Sequence, residues 1–423
     1  MGWDNSLPSQ RLPQLRGSVD RHAGGQSIAV ILDLPQKRDD MPQLDLVRGL
    51  AAIAVLVYHI RFRFFLDWAD LTDRGIVPKL FYAATSFGHD AVIVFFVLSG
   101  FFISRIVIRD VGANAWSWRD YLLNRCVRLY VVLLPGLVLT ALWDSAGLTF
   151  FPDNPLYSGT PQPWLTDSFP VHARLTTSTL LGNVAFAQSI LVPPFGSNVS
   201  LWSLSFEFWY YVLFPCLWIA ASRYSGPWRR TLYGIGAIVI LWLIGPDLRG
   251  SFPIWLMGTA IALVDMSWMT GRPGKRCGIL ALLAFGCLLL TLHGPLAWTS
   301  LIVKDYLVGA AFAGLLLTLL TTPLSKGISA SVARRLAGVS YTMYVAHLPL
   351  LVFLGGWLVP GKPWTPDLPH LIDAALVFVA VSAYCVAIGR WTEAKTSTIR
   401  RLFSTRPRAL RWRESLAAVA PAA

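Results

Sequence analysis

Apolar residues run along this chain in long blocks separated by short polar connectors. Ten blocks fall at approximately 44–61, 85–108, 127–147, 203–222, 231–246, 252–268, 278–293, 303–322, 338–358 and 369–390. A bilayer core about 30 Å thick takes roughly 20 residues of helix, and most of these blocks approach that length. Lipid offers no water to backbone polar groups, so helix is the expected form. The pattern predicts an all-α, polytopic membrane helix bundle with ten transmembrane helices over residues 43–392. Residues 1–42 form a polar tail, 393–423 a basic one, and 148–200 a long extracytoplasmic loop. An eleventh apolar stretch near 178–193 is broken by Asn183 and Gln188 and ended by Pro193-Pro194. It is assigned to the long loop, with its entry into the membrane left open.

Composition points the same way. The 423 residues are 55% hydrophobic and only 14% charged, which is too apolar for a soluble protein of this size. Their 18 Trp and 23 Phe suit interfacial aromatic belts. The net charge of +13 does not indicate nucleic acid, because the basic residues sit in clusters between apolar blocks and in the tail. These clusters are Arg109, Arg119 and Arg125; Arg223, Arg229 and Arg230; Arg272, Lys275 and Arg276; and Lys326, Arg334 and Arg335. The tail adds Lys395, Arg400, Arg401, Arg406, Arg408, Arg411 and Arg413. Ten spans with both termini cytoplasmic place them all inside. The first 42 residues hold no core long enough for a signal peptide. The five cysteines form no CxxC pair, so free thiols are expected, with no structural zinc.

Ionisable groups inside the blocks are the candidate chemistry, because lipid makes them costly. In LDLVRGLAAIAVLVYHI, Arg48 and His59 stand eleven positions apart. That is about three turns, so both lie on one helix face, roughly 16 Å apart along the axis. This face either lines a polar cavity or carries a snorkelling Arg and a satisfied His, and the span alone favours neither. Asp90 opens the second block and either caps its helix, the preferred reading, or pairs with a cation. Ser99-Gly100 suits close helix approach or a kink. Arg125 and Arg128 share one face at the inner mouth of the third block. They are either positive-inside anchors or a phosphate clamp. Glu207, with Tyr211 one turn on, lies at the expected depth of His59. It either orients that imidazole or stands protonated against a neighbouring helix. Ser340, Tyr344 and His347 form one stripe of the ninth block, with a polar seam the preferred reading for Ser340 and Tyr344 and His347 left open.

Taken together and in order, several stretches resemble the acyltransferase 3 family of integral membrane acyltransferases. They are LVRGLAAIAVLVYHI, FFVLSGFFIS, NRCVRLY, WSLSFEFWYYVLFP, PIWLMG and GVSYTMYVAHLPL, spread over nearly all of residues 44–390. The chain departs from the family's paired Arg-Arg and Arg-x-Tyr-Pro at Asn124-Arg125 and Arg128-Leu129-Tyr130-Val131. The resemblance implies a bacterial inner-membrane enzyme. Such an enzyme takes an acyl group, usually acetyl, from cytoplasmic acyl-CoA to a hydroxyl of a surface sugar, exopolysaccharide or glycolipid. It implies His59 as catalytic histidine, Arg48 as the essential arginine, Arg125 and Arg128 for the donor, and Glu207 as a further site residue. Asp90, Tyr211, Ser340, Tyr344 and His347 are the remaining substrate-binding candidates. No permanently bound cofactor or metal is expected. The expected mechanism is general base catalysis by His59, with a covalent acyl-histidine route left open. The alternative from another class is a transporter of a lipid-linked sugar or small anion that uses the same charged seam.

Overall fold

The structure, a computed structural model, describes residues 41–161, 169–223, 225–264, 275–293, 300–321 and 328–403. Expectations for residues 1–40, for Arg272, Lys326 and the tail beyond 403, and for the side chains of Lys275, Arg276 and Cys277 lie outside the described residues. The other four cysteines are free thiols.

The described residues hold helices and no strands, only two isolated bridges. In chain order the helices are α1 (Pro42–Phe64), α2 (Ile76–Thr85), α3 (Gly88–Gly112), α4 (Trp118–Phe150), α5 (Thr177–Val184), α6 (Trp202–Ala221) and α7 (Pro227–Leu243). There follow α8 (Gly245–Leu263), α9 (Lys275–His293), α10 (Leu301–Thr321), α11 (Ile328–Ala337), α12 (Ser340–Leu358), α13 (Leu368–Trp391) and α14 (Thr396–Phe403). A turn at Pro155–Ser158 also counts as helical.

Each predicted apolar block coincides with a helix. Seven stretches among the described residues are long and apolar enough to cross a membrane: 42–64, 76–112, 118–150, 199–221, 301–320, 340–358 and 368–403. Helix α7, with 17 residues, and α8, with Asp247 and Arg249 in its first turns, fall short for local reasons. Helix α9 runs over 19 residues and is apolar over Gly278–His293. Large apolar side chains such as Leu134, Val138, Ile238, Val239, Leu376 and Val379 face outward, as lipid contact requires.

Contacts fix the relative directions of the helices. Arg48 meets Ser340 and His59 meets His347, so α1 and α12 run parallel. Ser99 meets Trp255 and Ser104 meets Thr259, so α3 and α8 run parallel. The end of α9 reaches the start of α3 through His293 and Asp90, so those two run antiparallel.

The Ser99-Gly100 expectation of close approach holds. A Cβ on Gly100 would collide with the Trp255 carbonyl, and one on Gly258 with the Val97 carbonyl. The Trp255 indole N–H donates to Ser99 Oγ at 3.2 Å across this contact.

The long loop is not a surface excursion. After α4 ends at Phe150, α5 and the turn behind it descend between α4 and α6. Tyr130 on α4 donates its hydroxyl to the Val184 carbonyl at 2.8 Å. Tyr130 lies twenty residues before Phe150, about 30 Å along the helix. At the tip, Phe186 adopts φ 55 and stacks on Phe208 with centroids 4.5 Å apart. A non-glycine residue in the left-handed region costs ~1–2 kcal/mol, and burial of that ring on Phe208 and Tyr130 offsets it. The segment returns beside buried Asp144, which accepts from Ser197 N at 2.7 Å and Ser197 Oγ at 2.6 Å. Asn198 Nδ2 then donates to the Val345 carbonyl of α12 at 2.9 Å.

Candidate active site

One cavity of about 760 Å³, including its open mouth, lies among α1, α3, α4, α6 and α12. Its polar wall comes from Arg48, Arg125, Arg128, Ser203, Glu207, Tyr211, Ser340, Tyr341 and Tyr344. Its apolar wall is the α3 stripe Val92, Phe95, Phe96, Ser99, Phe102 and Ile103, at the i, i+3, i+4 spacing of one helix face.

Helical spacing delivers most of these groups. Arg125 and Arg128 are three apart on α4, whose start is capped by Ser117 accepting from Asp120 N at 3.3 Å. Ser203, Glu207 and Tyr211 are four apart on α6. Glu207 accepts the Tyr211 hydroxyl hydrogen bond, and Ser203 shares one with the Tyr344 hydroxyl at 2.6 Å. Arg48, only 6% exposed, donates to Ser340 Oγ at 3.3 Å and lies 3.5 Å from Asp45. Arg125 Nε is buried without a hydrogen-bond partner. Of the three guanidinium groups on the wall, Arg48 stands beside Asp45, while Arg125 and Arg128 share the cavity with Glu207, and the unmatched Arg125 Nε suits an anion.

The cavity does not reach His59. Its lining stops at Tyr344, whose ring centroid is 6.5 Å from that of His347. Behind that ring, His347 Nε2 lies 3.0 Å from His59 Nδ1. Phe95 packs edge-on to Tyr344 from α3, with centroids 6.2 Å apart.

The predicted residues therefore separate. Arg48, Arg125, Arg128, Glu207, Tyr211, Ser340 and Tyr344 share the cavity. His59 and His347 form a pair just beyond its end. Glu207 does not orient His59: its partner is Tyr211, because the register of α6 against α12 sets it among the arginines. Asp90 neither caps α3, whose N-cap is Phe87 with no side-chain cap bond, nor lines the cavity. It bonds His293 Nε2 at 2.7 Å, beside a second pair of His89 with Asp305 at 2.9 Å. Sequence reasoning missed Ser203 and Tyr341 as wall residues. The i, i+4, i+8 recurrence of Ser203, Glu207 and Tyr211 was the available signal for the first.

A multi-pass helical membrane bundle with an arginine-lined cavity that ends in front of a histidine pair defines a class, and comparison with known proteins narrows it. The acyltransferase domain family, acyltransferase 3, matches residues 41–390, and the chain belongs to that family. It is 24% identical over 392 residues to the acyltransferase MdmB of Streptomyces mycarofaciens, covering 83% of this chain and 90% of that one. It is 23% identical over 341 residues to the peptidoglycan O-acetyltransferase OatA of Listeria monocytogenes, covering 74% of this chain and 50% of that one. No solved structure matches. Membership of this family supports a membrane O-acyltransferase over the transporter alternative.

Proposed function

We propose that the protein transfers an acyl group, acetyl in the first instance, from cytoplasmic acyl-CoA to a hydroxyl of a surface sugar, exopolysaccharide or glycolipid. The observation that carries this reading is the cavity walled by Arg48, Arg125 and Arg128, with Arg125 Nε buried without a hydrogen-bond partner, and ended by Tyr344 with the histidine pair behind it. CoA is a polyanion joined by a narrow arm to a thioester. Arg125, Arg128 and Arg48 hold its phosphates, since guanidinium forks match phosphate oxygens. The apolar α3 wall takes the arm. The Tyr344 ring shifts to let the thioester reach His59, which takes the proton from the acceptor hydroxyl as that oxygen attacks. The acceptor class draws on one relative being named a peptidoglycan O-acetyltransferase.

Ten crossings with both termini cytoplasmic, in a bacterial inner membrane, complete the proposal. The parallel pairs α1–α12 and α3–α8 and the antiparallel pair α3–α9 have the directions that this count requires, which supports it.

The test uses host membranes supplied with radiolabelled acetyl-CoA. Release of CoA coupled to label entering glycan is expected. His59→Ala should lower it by ~10²–10⁴, the usual contribution of a general base, at unchanged membrane abundance. Full activity in that variant refutes the assignment.

A further inference from the structure

His347 is fully buried, and its ring nitrogens have different neighbours. Nδ1 lies 2.8 Å from the Met343 carbonyl oxygen and 3.0 Å from that of Tyr344. Carbonyl oxygens only accept, so Nδ1 carries the proton. In a neutral ring Nε2 then holds the lone pair. That atom faces His59 Nδ1 at 3.0 Å, so His59 must donate from Nδ1. The lone pair of His59 is left on Nε2.

We propose that His347 is the positioning residue of the reaction, locking His59 into the tautomer whose Nε2 acts as base. This rests on the acyl-transfer reading above. Charge explains why an imidazole rather than a carboxylate does the holding. A buried carboxylate would need a counter-charge, whereas a neutral pair of rings satisfies its polar atoms without one. Arg63, one turn further along α1, adds positive charge that also disfavours a charged His59 ring.

The step balances. The acceptor hydroxyl gives its proton to His59 Nε2 while its oxygen bonds the acyl carbon. The carbon–sulfur bond of the thioester breaks. The CoA thiolate leaves with that same proton, and His59 returns to its starting tautomer. His347 forms and loses no covalent bond.

Two variants separate positioning from packing. In His347→Gln the amide oxygen reaches the place of Nε2 and still accepts from His59. In His347→Asn the side chain ends near the place of Nδ1, and that acceptor is lost. With host membranes and radiolabelled acetyl-CoA, His347→Asn should lower kcat by about 100-fold with KM for acetyl-CoA within about threefold. His347→Gln should recover at least about tenfold of that loss. Retention of kcat within about threefold in the Asn variant overturns the proposal, and so does an equal fall in both variants. His59→Ala is the control for the underlying reading. If it stays active, acyl transfer through His59 fails; if it is inactive while His347→Asn is active, only the positioning role fails.

Discussion

Among the described residues, histidines meet side chains of other helices in two regions, and the partners differ in kind. At the rim where α3 begins, His89 faces Asp305 of α10 and Asp90 faces His293 of α9. Beyond the cavity end, His59 faces another imidazole. The rim histidines are about a third exposed, so water reaches their rings. The interior pair has no such help, and a charge there would be expensive. Carboxylates tie helices together at the rim, and a neutral ring fixes a tautomer inside. An acid next to a histidine is therefore not the mark of the site in this protein.

That contrast is most exposed to test at the rim. Asp90→Asn and Asp305→Asn each keep the shape of the side chain and remove its charge. Each should destabilise the folded protein by about 1.5–3 kcal/mol, the usual worth of a hydrogen bond to a charged group. A lowered unfolding midpoint in detergent would record it. Acetyl transfer per folded molecule should stay within about threefold. A large loss of kcat at full stability would place these pairs in the chemistry and break the contrast.

Glu207 is the next lever. Were it the orienting acid of His59, Glu207→Gln would lower kcat by the ~10² or more associated with a misdirected base. Its seat beside Tyr211 and the cavity arginines gives a different expectation. The carboxylate competes with donor phosphates for the same guanidinium groups. Its neutral replacement should lower KM for acetyl-CoA by about threefold to fivefold, with kcat within about threefold, the scale of one screened charge pair. Steady-state kinetics over a donor series distinguish the two.

Much of this was legible in the sequence, and the failures have physical causes. The apolar blocks became helices because their length leaves few other ways to satisfy backbone groups. Arg48 and His59 share a face because eleven residues close three turns. Partners across helices were harder, because helical spacing says nothing about how neighbouring helices are staggered. Ser340 and His347 are seven residues apart, about 10 Å, yet they meet Arg48 and His59, about 16 Å apart. The long Arg48 side chain makes up the difference, which counting depth from helix ends cannot anticipate. The descent of 177–195 was hidden for a similar reason. Asn183 and Gln188 look like breaks in an apolar run, whereas they satisfy the segment's own backbone. Asn183 Nδ2 donates to the Pro193 carbonyl at 3.0 Å, and Gln188 Nε2 to the Leu201 carbonyl at 3.0 Å.

Tyr344 stands between the cavity and the neutral pair, and the smallest effect is expected there. Its ring forms the end wall, and its hydroxyl shares a 2.6 Å hydrogen bond with Ser203. Tyr344→Phe keeps the wall and removes the bond. Loss of one neutral hydrogen bond costs about 0.5–1.5 kcal/mol, and Ser203 Oγ can turn to the Val199 or Ser200 carbonyl in the turn before α6. Acetyl transfer should therefore change by no more than about twofold. The weaker tie should let the ring swing more readily, so any change in kcat should be upward, with KM for the donor unaltered. If the hydroxyl instead touches the thioester oxygen during transfer, kcat falls by ~10² or more, as when a donor aimed at developing charge is removed. Tyr344 would then join His59 in the chemistry, and the boundary between donor cavity and histidine pair would have to be redrawn.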